Sequence, residues 1–264
     1  QANLAKQASS GNGNAMAGMS LCAQAIKISH ALELLETQTL SGLDVYMQGL
    51  IQQANDKKSK GVQFLVKSPE FNATMISLTN LITKKQEHPK IEKVSELIKS
   101  ELEQSEKAKV LIFTQFRETA SSIIKKLQDI PKARSSVFIG QAKKATGGMS
   151  QKEQKEVVEK FRTGEINVLC ATSIGEEGLD IPEVNAVIFY EPIPSAIRKI
   201  QRAGRTARHA PGKLFLLITK DTRDEINNYA SSAREKKMYK TIESIKSDIK
   251  EKTENKTTTL DDFA

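Results

Sequence analysis

The stretch QRAGRTAR (201–208) places three arginines at intervals of three residues. On a helix, Arg205 and Arg208 would project side by side, because residues i and i+3 are neighbours on the helix surface. The nearest acids along the chain are Glu191 and Asp221, so no carboxylate close in sequence neutralises these side chains. Guanidinium groups stay charged and bind phosphate through two parallel hydrogen bonds. The pattern predicts a phosphate clamp; the alternative is a solvated basic face of a helix.

A second group of residues with suitable chemistry follows an apolar run. The stretch VLCATSIGEEGLDIPEV (168–184) begins like a buried strand and then enters a loop at Thr172, with Gly175 and Gly178 before Asp180. In open α/β sheets, ligands bind outside the carboxyl ends of the strands. The loop is therefore a predicted ligand site. The alternative is an ordinary connection between strands, in which Asp180 caps a local turn.

Composition limits the possible partners. The 264 residues carry a net charge of +8, which favours a polyanionic partner such as nucleic acid. The longest apolar runs have only the length of a strand, so we expect no association with a membrane. Cys22 and Cys170 lie far apart and fit a reduced intracellular environment without a disulfide. Three isolated histidines cannot build a zinc cluster with them, so no metal site is expected.

Periodicity divides the chain into five parts. Residues 1–20 are rich in Ala, Ser, Gly and Asn and predict a flexible segment or weak helix. Residues 21–85 have apolar positions at helical spacing, with a possible break at TLSGLD (39–44) and a polar turn at 55–61. Residues 86–225 alternate between strands and helices, 226–250 form a charged helix, and 251–264 form a polar tail.

The alternation predicts an α/β domain with a parallel sheet, preceded by an all-α region. Ser150 and Glu153 have the spacing of a capping box, which would begin one of the helices. The predicted helices are 90–104, 116–128, 151–162 and 195–207, and the predicted strands are 109–114, 135–139, 167–171, 186–190 and 213–218.

Three stretches, in this order, resemble the second RecA-like lobe of superfamily 2 helicases. VLIFTQFRETA (110–120) resembles motif IV, VLCATSIGEEGLDIP (168–182) resembles motif V, and QRAGRTAR resembles motif VI. The residues of these motifs are similar to those of the archaeal Hef helicases, relatives of the Fanconi-anaemia group M translocase. AIKISHALELLETQTLSGL (25–43) resembles the helical, thumb-like insertion that those proteins place before their second lobe. The resemblance runs from about residue 21 to residue 245.

The resemblance implies roles for individual residues. Arg205 and Arg208 match arginine fingers, which reach the γ-phosphate of ATP across the cleft between two lobes and neutralise charge in the transition state. Gln201 matches a polar position near the nucleotide, Gly178 gives backbone freedom, and Asp180 matches an acid that senses the ribose. The residues implied to hold nucleic acid are Gln115, Arg117, Gly140, Gln141 and Thr172. Ala203 and Ala207 depart from the family's motif VI, which usually has a basic residue and a glycine at these two positions; both positions tolerate a small side chain.

The nucleotide site implied by these motifs is incomplete. The sequence has no G-x-x-x-x-G-K-[ST] loop to cradle the β- and γ-phosphates. Asp224 and Glu225 are interpreted as acids at a helix N-terminus, where they favour the dipole. We therefore expect ATP with Mg²⁺ to be bound mainly by a RecA-like lobe upstream of Gln1, and this chain to be inactive alone.

The ends of the chain suggest two further partners. In the tail, Thr257, Leu260, Phe263 and Ala264 have the spacing of a degenerate sliding-clamp peptide; the alternative is a plain disordered terminus. Residues 1–85 hold 8 Lys and Arg against 5 acids. The hypothesis for the helical region is that it grips the duplex arms of branched DNA, and the alternative is a spacer that packs against the lobe.

The functional prediction is the C-terminal part of an ATP-dependent DNA helicase or translocase. It would act on forked or branched DNA in repair or replication-fork processing, in the cytoplasm and associated with the nucleoid. Contacts to phosphates would make it selective for structure rather than for base sequence. Two alternatives remain: a lobe of an ATP-dependent RNA helicase, which shares motifs V and VI, and a non-catalytic nucleic-acid-binding module.

Overall fold

The computed structural model describes residues 13–105, 107–140, 148–172, 181–193, 195 and 212–254. The helical part consists of α1 (Gly13–Thr37), α2 (Leu40–Asn55), α3 (Lys60–Val66) and α4 (Pro69–Thr83). The elements that follow are α5 (Pro89–Gln104), β1 (Val110–Phe113), α6 (Arg117–Leu127), β2 (Ser135–Phe138), α7 (Gln151–Thr163), β3 (Val168–Ala171), β4 (Ala186–Phe189), β5 (Lys213–Leu216) and α8 (Arg223–Glu254).

The five strands form one parallel sheet in the order β2-β3-β1-β4-β5. Strands β1, β3 and β4 are buried along their whole length because helices cover both faces of the sheet. Alternate residues of β1 enter opposite cores: Ile112 packs with α5 and α6, and Phe113 packs with α7. The predicted class, an α/β domain preceded by an all-helical region, is confirmed.

The helical region forms a third core of its own, which packs against the sheet domain. Its buried side chains come from α1 to α4, and Phe116 of the sheet domain packs against them. The hydroxyls of Thr39, Ser59 and Ser68 accept backbone N–H groups at the starts of α2, α3 and α4. These caps explain why three closely spaced helices begin where they do.

Several predicted boundaries need correction. Residues 13–20 belong to α1, where the composition predicted a flexible segment or a weak helix. The break predicted within TLSGLD lies at Gln38 and Thr39, and α3 follows the polar turn without having been predicted. Helix α8 runs through both expected boundaries, at 225 and 250. The predicted capping box of Ser150 and Glu153 is confirmed, and it begins α7.

The junction between the helical region and the sheet domain is made of helix ends. At the end of α1, Lys90 Nζ donates to Thr37 O at 3.2 Å, and His88 Nε2 lies 2.9 Å from Glu36 O. His88 Nδ1 accepts the Lys90 N–H, so Nε2 carries the ring proton, and burial lowers the pKa of this histidine. At the start of α2, Leu40 N donates to the Glu87 carboxylate at 2.6 Å. Backbone groups orphaned by the break thus find partners in the linker that enters α5.

Asp224 and Glu225 lie in the first turn of α8, as predicted, and Asp224 also has a distant partner. Its carboxylate is buried and forms an ion pair with the equally buried Lys90 Nζ. It also accepts the Thr219 N–H at 3.0 Å. Burial lowers the pKa of Lys90, and the nearby Asp224 carboxylate opposes that effect. Asp224 does lie in the first helical turn, but its partner is a distant lysine rather than the helix dipole alone.

Glu191 is a second buried carboxylate near this junction. Its Oε2 accepts from Gln38 Nε2 at 3.4 Å and from the Thr114 hydroxyl at 3.3 Å. Burial raises the pKa of the Glu191 carboxyl from 4.5 to about 7, and Lys90 together with the hydrogen bonds acts in the opposite direction. The side chain therefore changes charge near neutral pH.

Replacing Asp224 by Ala is predicted to destabilise the protein by about 3–5 kcal/mol, because it leaves the Lys90 cation buried without its counter-ion. Replacing Lys90 by Met and Asp224 by Leu together is expected to cost less, since both charges of this pair are then removed and neither is left buried without its partner. Urea unfolding of the three proteins measures both effects. Glu159→Ala is the control because it breaks an exposed ion pair with Arg162, worth about 1 kcal/mol or less. Equal losses for Asp224→Ala and Glu159→Ala would contradict the prediction.

The Glu191 carboxyl is predicted to make stability depend on pH. Because its folded pKa exceeds its unfolded pKa, its contribution is complete below pH 4.5 and disappears as the pH rises through about 7. Between about pH 5.5 and about pH 8, the wild type should lose about 2 kcal/mol relative to Glu191→Gln. Denaturant unfolding of both proteins at both pH values tests this, and comparing them largely cancels the other titrating groups. Parallel pH profiles would refute the assignment.

Candidate nucleic-acid interface

Parallel pairing brings the residues at the ends of neighbouring strands to one edge of the sheet. Of the residues implied to hold nucleic acid, Gln115 and Arg117 follow β1, Gly140 follows β2 and Thr172 follows β3. Since β3 lies between β2 and β1, these four residues share a continuous stretch of the carboxyl edge. The fifth, Gln141, lies outside the described residues.

Side-chain contacts tie this edge together. Arg117, the first residue of α6, donates from Nη2 to Gly140 O at 3.2 Å. Gln154 of α7 donates to Ile139 O at 3.0 Å and holds the same end of β2 from the other face. Gln154 was not singled out from the sequence, because a glutamine near the start of a helix carries no motif. Together these bonds hold the backbone after β2 in one position.

The residues of this edge differ in how far they reach the surface. Gln115 is exposed and Arg117 is half-buried, while Gly140 is buried. Thr172 is only 5% exposed, and its N–H donates to Phe138 O at 3.0 Å. Gln115 and Arg117 therefore provide the accessible polar surface among these four residues, and Thr172 and Gly140 supply backbone structure beneath it.

Gln115 is held by the buried Glu191, whose carboxylate accepts the Gln115 N–H. Thr119, which is fully buried one turn into α6, donates to Gln38 Oε1 at 3.0 Å. Gln38 thus bridges Thr119 and Glu191. Sequence reasoning missed this cluster. The available signal was an acid directly after the apolar run AVIFY, a place where a charge has to find partners.

A cleft of about 360 Å³ lies where the helical region meets this edge. One wall is α6, which contributes Arg117, Ser121 and Lys125 at intervals of four residues, hence on one face of the helix. The opposite wall includes Ser41 and Val45 of α2. The remaining lining residues are Glu118, Ser122 and Ile139. Two cations and three hydroxyls against one acid make this seam cleft suitable for an anionic ligand such as phosphate.

The residues predicted to contact ATP lie outside the described residues. This applies to Arg205, Arg208, Gln201, Gly178 and Asp180 alike, and also to the tail segment Thr257–Ala264. Within the described ranges, no group of three or more His, Cys, Asp and Glu side chains is arranged to hold a metal ion. Every helix in those ranges is too short or too polar to cross a membrane.

Comparison with known proteins identifies the two parts separately. Residues 89–210 match the family described as helicase conserved C-terminal domain, and residues 1–88 match the helical bundle of putative ATP-dependent RNA helicases. The boundary between the two matches coincides with the junction at His88 and Pro89.

The relatives are longer helicases. A putative ATP-dependent RNA helicase of Methanocaldococcus jannaschii is 39% identical over 226 residues, which are 85% of this chain and 28% of that protein. The putative ATP-dependent DNA helicase fml2 of Schizosaccharomyces pombe is 40% identical over 209 residues, which are 75% of this chain and 26% of that protein. The chain therefore spans about a quarter of the length of these relatives.

A solved structure shares both the sequence and the fold. The crystal structure of the Pyrococcus furiosus Hef helicase domain superposes with a TM-score of 0.67 at 40% identity, covering 86% of this chain and 46% of that one. The match covers most of this chain, and the predicted resemblance to the Hef helicases is confirmed. The chain belongs to the superfamily 2 helicases, as a C-terminal RecA-like lobe preceded by a helical region.

Proposed function

We propose that this chain is the C-terminal part of an ATP-dependent DNA helicase or translocase that acts on forked or branched DNA. The observation that carries the proposal is the meeting of two surfaces. The carboxyl edge with Gln115 and Arg117 continues directly into the seam cleft beside the helical region. A single strand on the edge and a duplex arm at the seam would meet at Arg117, as they meet at the branch point of a fork.

The chemistry of the proposed contacts is that of phosphate binding. The amide of Gln115, the guanidinium of Arg117 and the hydroxyls of the seam cleft donate hydrogen bonds, and Arg117 and Lys125 add positive charge. Such groups contact the backbone of nucleic acid and carry no base sequence, so recognition would depend on the shape of the DNA. A role in repair or in processing replication forks follows from that substrate.

ATP hydrolysis would take place between this lobe and a second RecA-like lobe. In this proposal Arg205 and Arg208 act as arginine fingers, Asp180 and Gln201 approach the nucleotide, and Gly178 permits the backbone turn beside them. The upstream lobe would hold ATP with Mg²⁺ through its phosphate-binding loop. Closing the cleft would bring the fingers to the γ-phosphate, and opening it would release the products.

Two of the similar proteins and families support a second candidate, an RNA helicase. The Methanocaldococcus relative and the helical-bundle family are both described as putative RNA helicases. The fungal relative is described as a DNA helicase. Activation of the ATPase by forked DNA and by RNA of the same shape distinguishes the candidates, and we expect the forked DNA to be the stronger activator. Binding of a sliding clamp through Leu260 and Phe263 remains a separate proposal.

Arg205→Ala in the complete protein is predicted to lower DNA-stimulated ATP turnover by about 10³-fold or more, since a finger acts only on the transition state. DNA affinity should change little. Arg162→Ala is the matched control: that arginine is exposed, and its carbonyl accepts from Lys109, just before β1 at the opposite end of the sheet. This chain alone should show no turnover, and activity should return with the upstream lobe. Substantial activity of the Arg205→Ala protein would remove the finger assignment.

Lys125→Gln is predicted to weaken forked-DNA binding and to reduce the salt dependence of binding by about one phosphate contact. Binding to an unbranched single strand should change much less, because that strand would lie on the edge at Gln115. Fluorescence anisotropy at several salt concentrations measures both ligands. Lys99→Gln provides the same change of charge on the exposed side of α5. Equal effects of the two substitutions would show that only net charge matters and would exclude the seam cleft as a specific site.

A further inference from the structure

The segment Gln115-Phe116-Arg117 is held by three different parts of the molecule. The Gln115 N–H donates to the Glu191 carboxylate, which follows β4. The Phe116 side chain packs against the core of the helical region, where its ring lies 6.1 Å from that of His30. The Arg117 guanidinium donates to the carbonyl of Gly140, after β2. The position of this three-residue segment therefore depends on both the helical region and the sheet edge.

Glu191 connects the helical region to the sheet domain at this segment through its hydrogen bonds. The same carboxylate oxygen accepts from Gln38 of the helical region, at 3.4 Å, and from the Thr114 hydroxyl of the sheet domain, at 3.3 Å. Gln38 is held in turn by the Thr119 hydroxyl at 3.0 Å. The Glu191 side chain thus bonds to Gln38, which lies 153 positions earlier in the chain.

Burial makes this arrangement stiff. Thr114 and Thr119 are fully buried, and Gln38 and Glu191 are nearly so. No competing water can easily replace a partner in such surroundings, so a shift of Gln38 would leave a buried polar group unsatisfied. Hydrogen bonds are directional, so a displacement of Gln38 changes the geometry of its bonds to Thr119 and Glu191.

We propose that Glu191 is a positioning residue that couples the helical region, through Gln38, to the nucleic-acid-facing segment at Gln115. A duplex arm that shifts the helical region would change the geometry of Gln38 and Glu191, and hence the position of the Gln115 amide on the edge. The predicted fingers, Arg205 and Arg208, follow Glu191 in the sequence. The inference deepens the proposed function and rests on it for the identity of the ligand, but the mechanical coupling can be tested without DNA.

The coupling is tested by hydrogen exchange on the complete protein without ligand. Gln38→Leu removes the bridging amide at similar volume, and Thr119→Val removes only the hydroxyl that holds it. Both substitutions are expected to speed exchange of the Gln115 amide about fivefold or more, although neither touches that amide. Glu191→Gln should do the same directly. Thr119→Val is the milder change, so a loss of folding in the other two variants would not obscure the result.

Two matched controls separate positioning from general destabilisation. Gln52→Leu removes an exposed side-chain bond to Asp56 inside the helical region, away from the junction. Glu101→Gln alters another buried carboxylate, which pairs with Lys213 of β5 at 2.8 Å within the sheet domain. Neither is expected to change exchange at Gln115. If they accelerate it as much as Thr119→Val does, or if Thr119→Val and Gln38→Leu leave it unchanged, the coupling is refuted.

The same variants connect the coupling to activity. The quantities to measure are kcat and KM for ATP, with saturating forked DNA and with saturating single-stranded DNA. The variants Gln38→Leu, Thr119→Val and Glu191→Gln should keep the kcat stimulated by single-stranded DNA within about threefold of wild type and lose most of the additional stimulation by forked DNA. A purely structural defect would lower both kcat values together. The Gln38→Leu and Glu191→Gln effects should not add, because they break one shared bond. Coupled exchange in a wild type without fork preference would refute the proposed substrate and still support the coupling.

Discussion

Parallel pairing of the strands is the constraint on which the rest of the structure depends. Strands β1, β3 and β4 are buried on both faces, so they can contain only apolar side chains. Polar residues are therefore displaced to the strand ends, and in a parallel sheet all carboxyl ends lie on one edge. Thr114, Gly140, Thr172 and Glu191 each follow within two residues of a strand. The polar residues lie at the edge because the buried strands β1, β3 and β4 have no room for them.

The helical region adds a second constraint, which arises from the ends of its helices. The break between α1 and α2 leaves carbonyls and an N–H group that need partners in a buried place. Glu87 and His88 provide them from the short linker before α5, and Lys90 provides one from the first turn of α5. The charges have the favourable signs: a cation meets the end of α1, and a carboxylate meets the start of α2. The helical region is thus docked by polar groups that require one geometry.

The buried charges near this junction have different consequences. Lys90 and Asp224 neutralise each other and tie the start of α8 to the start of α5. Glu191 has hydrogen-bond donors around it but no cation in direct contact among the described residues, and burial raises its pKa to about 7. The Lys90–Asp224 ion pair holds α5 and α8 together. The second site can respond to its surroundings, which suits a residue between the helical region and the interface for nucleic acid.

The sequence by itself determined the local elements and their order. Apolar runs of strand length predicted all five strands, the spacing of Ser150 and Glu153 predicted the start of α7, and the order of three motifs predicted the family. These features depend on neighbours a few residues apart, so a linear pattern contains them. The boundaries of α1, α3 and α8 were less accurate because composition is a weak guide to where a helix ends.

Tertiary structure alone decided which distant polar groups meet. Asp224 was read as an acid at a helix terminus because the local rule applies there, and only packing shows that Lys90 is its partner. The meeting of Gln38, Thr119 and Glu191 likewise depends on how two cores dock. A buried polar group must find a partner somewhere, but its own sequence neighbourhood does not say where. Arg117 reached its carbonyl at Gly140 for the same reason: the pairing of strands, not the spacing of residues, brings the two together.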